Sequence, residues 1–122
     1  MSRAAHGLGE FGRIRQFFAP LAGPGGLGLV DDAALVDCPA GHRLVVTVDA
    51  MVEGVHYLPL DPPDLVARKL LRVNLSDLAA MAARPLHYLI AAALPASFGD
   101  DWVEKFAAGQ WYADDQIYKN PI

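Results

Sequence analysis

The chain has 122 residues, 53% hydrophobic and 20% charged, with a formal charge of −4, which is the make-up of a globular chain of single-domain size. Mild acidity with scattered Lys and Arg argues against nucleic acid as a ligand. One cysteine, Cys38, leaves no intrachain disulfide or Cys-based zinc site, and no apolar run is long enough to span a bilayer, so a cytoplasmic location is expected.

The stretch "EFGRIRQFFAPL" predicts a short amphipathic helix, with Phe11, Ile14, Phe17 and Phe18 at helical spacing and Pro20 at its end. The run "GPGGLG" that follows at 23–28 matches neither GxxxxGK[ST] nor a strand–GxGxxG–helix context, so it reads as a connector. "LGLVDDAALVDC" predicts two short strands around a turn or bulge at Asp31-Asp32. "HRLVVTVDAMVEGVHYL" is β-branched and partly alternating, and predicts two strands with a break near Asp49 or Gly54. "DPPDLVARKLLRVNLSDLAAMAA" is the main helix, with Asp61 placed to cap it and Pro62 at its first position. "LHYLIAAAL" reads as a buried strand, and "DDWVEKFAAG" as a second helix with Asp101 as N-cap, Glu104 three residues on and Gly109 at its end. This order predicts an α+β, or layered α/β, domain in which a mixed β-sheet is covered on one face by helices. Residues 1–109 make up that domain. Residues 110–122 read as an atypical tail, because Ile, Lys, Asn and Tyr replace the Ala, Leu, Gly and Val that dominate before it.

One residue of the main helix stands out. At about 100° per residue, Val66, Leu70, Val73 and Met81 share a stripe, Arg68, Lys69, Arg72 and Ser76 lie opposite, and Asp77 falls inside the stripe. A carboxylate buried there must be neutralised, paired or bound to a metal. Asp31, Asp32 and Asp49 interrupt apolar segments in the same way. Four carboxylates with few cations nearby suit a hard divalent ion such as Mg²⁺, which joins one or two carboxylates to substrate phosphates. Bound metal would also let an acidic protein accept an anionic substrate. His56 lies beside Tyr57 on a predicted strand, where a structural role and a substrate contact both stay open. His6, His42 and His87 show no ligand pattern.

Taken in order, "GEFGRIRQFF", "VDDAALV", "VTVDAMVEGVHYL", "ARKLLRVNLSDLAAMAARP" and "DDWVEKFAAG" resemble the N-terminal domain of the thiamine-monophosphate kinases over about residues 9 to 109. That family is a branch of the superfamily containing aminoimidazole ribonucleotide synthetase and selenophosphate synthetase. The resemblance implies ATP-dependent phosphorylation of thiamine monophosphate to thiamine diphosphate. By position it implies Mg²⁺ ligands at Asp32, Asp49 and Asp77, with Asp31 as the neighbouring acid, Mg-nucleotide contacts at Thr47 and Asp49, and a substrate contact at His56. It further implies a homodimer in which the sheets of two subunits pair. Val30 stands where the family has a glycine, and Val48 where it has a hydroxyl residue. The Gly-Gly-Asp-Thr segment and C-terminal domain of the family are not in this sequence, so the chain by itself is expected to be impaired. A sibling synthetase and a non-catalytic dimerising fragment are the alternative readings.

Overall fold

The computed structural model describes residues 7–119, of which 111–119 are described as backbone only, so the end of the expected tail lies outside the described residues. Helix α1 (Glu10–Arg13) tightens and widens along its length, running on as a π-helical stretch (Ile14–Phe18) and a 3-10 turn (Ala19–Leu21). Pro24–Leu29 forms a further 3-10 segment, inside which Leu27 and Gly28 adopt left-handed backbone. The glycine-rich connector is therefore folded, and the Leu35 amide donates to the Gly25 carbonyl at 2.8 Å, closing a loop over Asp31-Asp32.

Two long helices make the rest of the frame. Helix α2 spans Pro63–Ala80, and helix α3 spans Asp100–Lys119. Pro62 precedes α2 and its carbonyl accepts from the amides of Leu65 and Val66, while the Asp61 carboxylate turns back to accept from the Leu58 amide at 2.7 Å. Asp61 thus fastens the turn before the helix and does not cap it. In α3 the first bonds go to the Gly99 carbonyl, two residues before the expected cap at Asp101, and the helix runs straight through Gly109. Gly109 is there for another reason. A Cβ at that position would run into the backbone of Asp64, so the missing side chain lets α3 cross the first turn of α2 at close range.

The core lies in that crossing. Val66, Ala67 and Leu71 of α2 face Val103, Phe106 and Ala107 of α3, all buried, and Phe18, Met51, Tyr57, Leu70 and Trp102 pack around them. Phe98, Trp102 and Phe106, four residues apart, stack with ring centroids 4.2 and 5.3 Å apart. Gln110 continues the buried stripe of α3 at 1% exposure, and its Nε2 has no partner among the described residues.

The expected sheet is not formed. Among the described residues there is no strand, only a single bridge between Glu53 and Tyr57, so the α+β or layered α/β expectation with a helix-covered mixed sheet, and its pairing with a second subunit's sheet, is corrected to helices joined by extended chain. The reason is physical. Alternating β-branched residues show what a segment could bury, but a strand exists only where a neighbour completes its hydrogen-bond ladder. The segments concerned lie open instead, with Val46 80%, Val48 87% and Leu89 82% exposed.

Candidate functional site

Asp77 sits in the fourth turn of α2, on the line of the apolar stripe, yet it is exposed. The face that α3 covers runs through Val66, Ala67 and Leu71, so of the stripe only Val66 is buried, with Leu70 partly buried beside it. Farther along, Met81 is already 66% exposed. The helix runs out from under its partner, and Asp77 falls on the uncovered part. What it meets there is the extended segment carrying Thr47, whose hydroxyl donates to Asp77 Oδ2 at 3.2 Å. Two candidate residues thirty positions apart are thus brought together by the way α2 outruns α3.

The remaining candidates are arranged more loosely. Asp31, Asp32 and Asp49 lie exposed on the extended chain. Among the described residues no group of three or more His, Cys, Asp or Glu side chains is close enough to hold a metal. The donors that do meet, a hydroxyl and an exposed carboxylate, are both hard oxygens. They fit in kind a magnesium ion that takes one or two carboxylates and completes its shell with water and phosphate.

His56 is placed by a turn, not by a strand. Gly54, at φ 79°, makes the reversal that the sequence signalled as a break, and its amide donates to the Tyr57 carbonyl at 2.7 Å. The Val52 amide donates to His56 Nδ1 at 3.0 Å, and Lys69 Nζ on α2 donates to the His56 carbonyl. Partial burial, aided by the charge of Glu53, pushes the neighbouring Tyr57 hydroxyl above its usual range, so it stays protonated at neutral pH.

A second polar centre carried no sequence signal. Asp100, at the start of α3, accepts from the Leu8 amide at 2.7 Å and from Arg13 Nε at 2.7 Å, and Arg13 Nη2 reaches the Phe98 carbonyl at 3.1 Å. The Leu8 amide first, and the Arg13 guanidinium second, hold the Asp100 carboxyl below the usual carboxylate range. The partners are some ninety residues apart in the chain, a separation across which no periodicity reads. Lys69 was equally hidden, since by position it belongs to the solvated face of α2. A shallow hollow lined by Gln16, Phe17, Pro20, Leu21, Glu104 and Ala107 contains none of the candidate residues. Among the described residues no helix is long and apolar enough to cross a membrane.

Residues 30–115 match the family model described as AIR synthase related protein, N-terminal domain. The chain is 48% identical over 102 residues to the thiamine-monophosphate kinase of Caulobacter vibrioides, covering 82% of this chain and 29% of that protein. It is 38% identical over 103 residues to the protein of the same name from Haemophilus influenzae, covering 82% of this chain and 31% of that one. The Escherichia coli K12 protein of that name is 42% identical over 103 residues, covering 81% of this chain and 31% of the relative. The chain thus spans less than a third of the length of the curated relatives it matches. No solved structure matches it.

Proposed function

The chain belongs to the family of AIR synthase related proteins, whose N-terminal domain it matches, and from that premise we propose that it is the N-terminal part of a thiamine-phosphate kinase, a cytoplasmic enzyme that transfers a phosphoryl group from ATP to thiamine monophosphate. The observation that carries the reading is the 48% identity to a thiamine-monophosphate kinase across four-fifths of the chain. Residues 1–109 are the domain that takes part in the chemistry.

The residue types suit that chemistry. The accepting group is a phosphate oxygen, ionised at neutral pH, so no strong general base is needed. The difficulty is bringing two polyanions together in line. Magnesium, when bound, supplies charge neutralisation and orientation of the phosphates. Asp77, with Asp32 and Asp49 and the adjacent Asp31, would hold it. Thr47 does two things. Its hydroxyl orients the Asp77 carboxylate, and with Asp49 it would contact the Mg-nucleotide. His56 would contact thiamine monophosphate. The homodimer belongs to the same proposal, with the exposed valines of the extended segment as the apolar surface available to a second copy.

The test is production of thiamine diphosphate from ATP, Mg²⁺ and thiamine monophosphate, paired with Mg²⁺ titration of the chain and of Asp77→Asn. Product, together with at least tenfold weaker Mg²⁺ binding by Asp77→Asn, supports the reading. Unchanged Mg²⁺ affinity in Asp77→Asn overturns the site. One observation favours a second reading, since among the described residues Thr47 and Asp77 are the only two candidates joined to each other by a hydrogen bond. No product, with dimers that Mg²⁺ stabilises, would leave a non-catalytic dimerising piece.

A further inference from the structure

The turn bearing His56 is gripped from two sides. Within the turn, the Val52 carbonyl accepts from the amides of Val55 at 3.1 Å and His56 at 2.9 Å, while the Val52 amide donates to the His56 ring at Nδ1. A backbone N–H can donate only to a ring nitrogen that carries a lone pair. In the neutral ring the proton is therefore on Nε2. His56 is exposed, so Nε2–H is what the ring can offer a ligand, as a hydrogen-bond donor. From outside the turn, Lys69 Nζ donates to the carbonyl of His56 itself.

Lys69 and Asp77 stand on the same helix, eight residues and so about 12 Å apart along its axis. Helix α2 is continuous from Lys69 to Asp77, and its first turns pack against α3. One rod thus holds both the His56 turn and the carboxylate that meets Thr47.

We propose that Lys69 is a positioning residue: with the Val52 amide it fixes the His56 turn and its tautomer, so that Nε2–H is presented to an oxygen acceptor of the substrate, a phosphate oxygen. The inference rests on the reading of His56 as a substrate contact. Lys69 touches no reacting atom. It acts through the carbonyl it holds, and a guanidinium at the same place can donate in its stead, whereas a methionine of similar reach cannot.

The experiment is nitrogen-15 NMR of the histidine rings in this chain at a pH of about 8, where imidazoles are neutral. His56→Gln identifies the His56 signals among the four histidines. Wild type is expected to show Nδ1 unprotonated and Nε2 protonated, Lys69→Arg the same, and Lys69→Met both signals moved toward the average of the two tautomers. Lys69 is exposed, so its replacement leaves the helical core in place. A tautomer mixture in wild type, or no change in Lys69→Met, overturns the positioning role. Thiamine monophosphate is then titrated onto wild type. A fixed tautomer whose Nε2 signal does not respond overturns His56 as the substrate contact while leaving Lys69's hold on the turn standing, so the two failures are told apart.

Discussion

The α2–α3 pair and the extended chain between Val30 and Pro62 hold the same kinds of apolar residue and end in opposite situations. Val66, Leu71, Val103 and Phe106 are buried, while Val46, Val48, Val55 and Leu60 are 75% exposed or more. The difference is not hydrophobicity. A helix satisfies its backbone within itself and needs a neighbour only for one face, which α2 and α3 supply to each other. An extended segment needs a neighbour for its backbone as well as for its side chains. Five of the six candidate residues, Asp31, Asp32, Thr47, Asp49 and His56, belong to the second region. Asp77 and Lys69 are where the first region takes hold of it.

Cutting into the helical pair gives the largest expected effect. Phe106 is the last ring of the aromatic stack and lies in the core against Val66 and Ala67. Phe106→Ala should cost about 3–5 kcal/mol, a large part of what a domain of this size holds, and the loss is read in urea melts followed by helical circular dichroism. Gly109→Ala comes next. The added methyl has to push α3 away from the Asp64 backbone, which should cost about 1–3 kcal/mol although alanine is the better helix former. A stabilised Gly109→Ala would mean that the helices do not cross there.

Gly109 also shows where sequence reading stops. A glycine ten residues into a helical pattern, followed by a change of composition, reads as a helix end. The same absence of a side chain serves a close crossing, and only the position of Asp64 decides between the two. Helices α2 and α3 were legible because their signal is local, a period in both and, for α2, a proline at each boundary. The sheet was misread because period-two alternation describes one strand and says nothing of its partner. For the site, the wheel placed Asp77 correctly on the line of Val66, Leu70 and Val73. It could not tell that α3 leaves that part of the line uncovered, so the carboxylate expected to be buried is solvated and shares Thr47. Lys69 on His56 and Arg13 on Asp100 are contacts between distant segments, and nothing in their spacing announces them.

Smaller effects test how firmly α2 holds the extended chain. Thr47→Val keeps the shape and removes the hydroxyl that donates to Asp77. Because the Asp77 carboxylate is exposed and water can replace the hydroxyl, the loss in stability should be about 1 kcal/mol or less. Amide shifts from Thr47 to Asp49 should move while those of α3 stay still. Val48→Ser should do less still, within about 0.5 kcal/mol, as for an open surface site. If Val48→Ser were as harmful as Phe106→Ala, the extended segment would be packed in solution, and the contrast between the two regions would fail.

The most local effect belongs to the clasp between Leu8, Arg13 and Asp100, which joins the N-terminal segment to the start of α3. The folded chain holds the Asp100 carboxyl below its ordinary pKa, first through the Leu8 amide and then through Arg13. A carboxyl with a depressed pKa contributes stability above its unfolded value of about 3.9, and that contribution is lost as the pH falls through the folded value. The clasp should therefore hold from neutral pH down to about 4 and open below it. Both ends of the contact are solvent-accessible, so the global melting of α2 and α3 should hardly register the change. The signals of the Leu8 amide and of Arg13 Nε–H should report it, shifting together as the pH falls. Asp100→Asn removes the ionised acceptor, and in that variant both signals should stay flat across the same range. A Leu8 amide that titrates unchanged in Asp100→Asn would take Asp100 out of the clasp and leave Arg13 joined to that end of the helical pair through the Phe98 carbonyl.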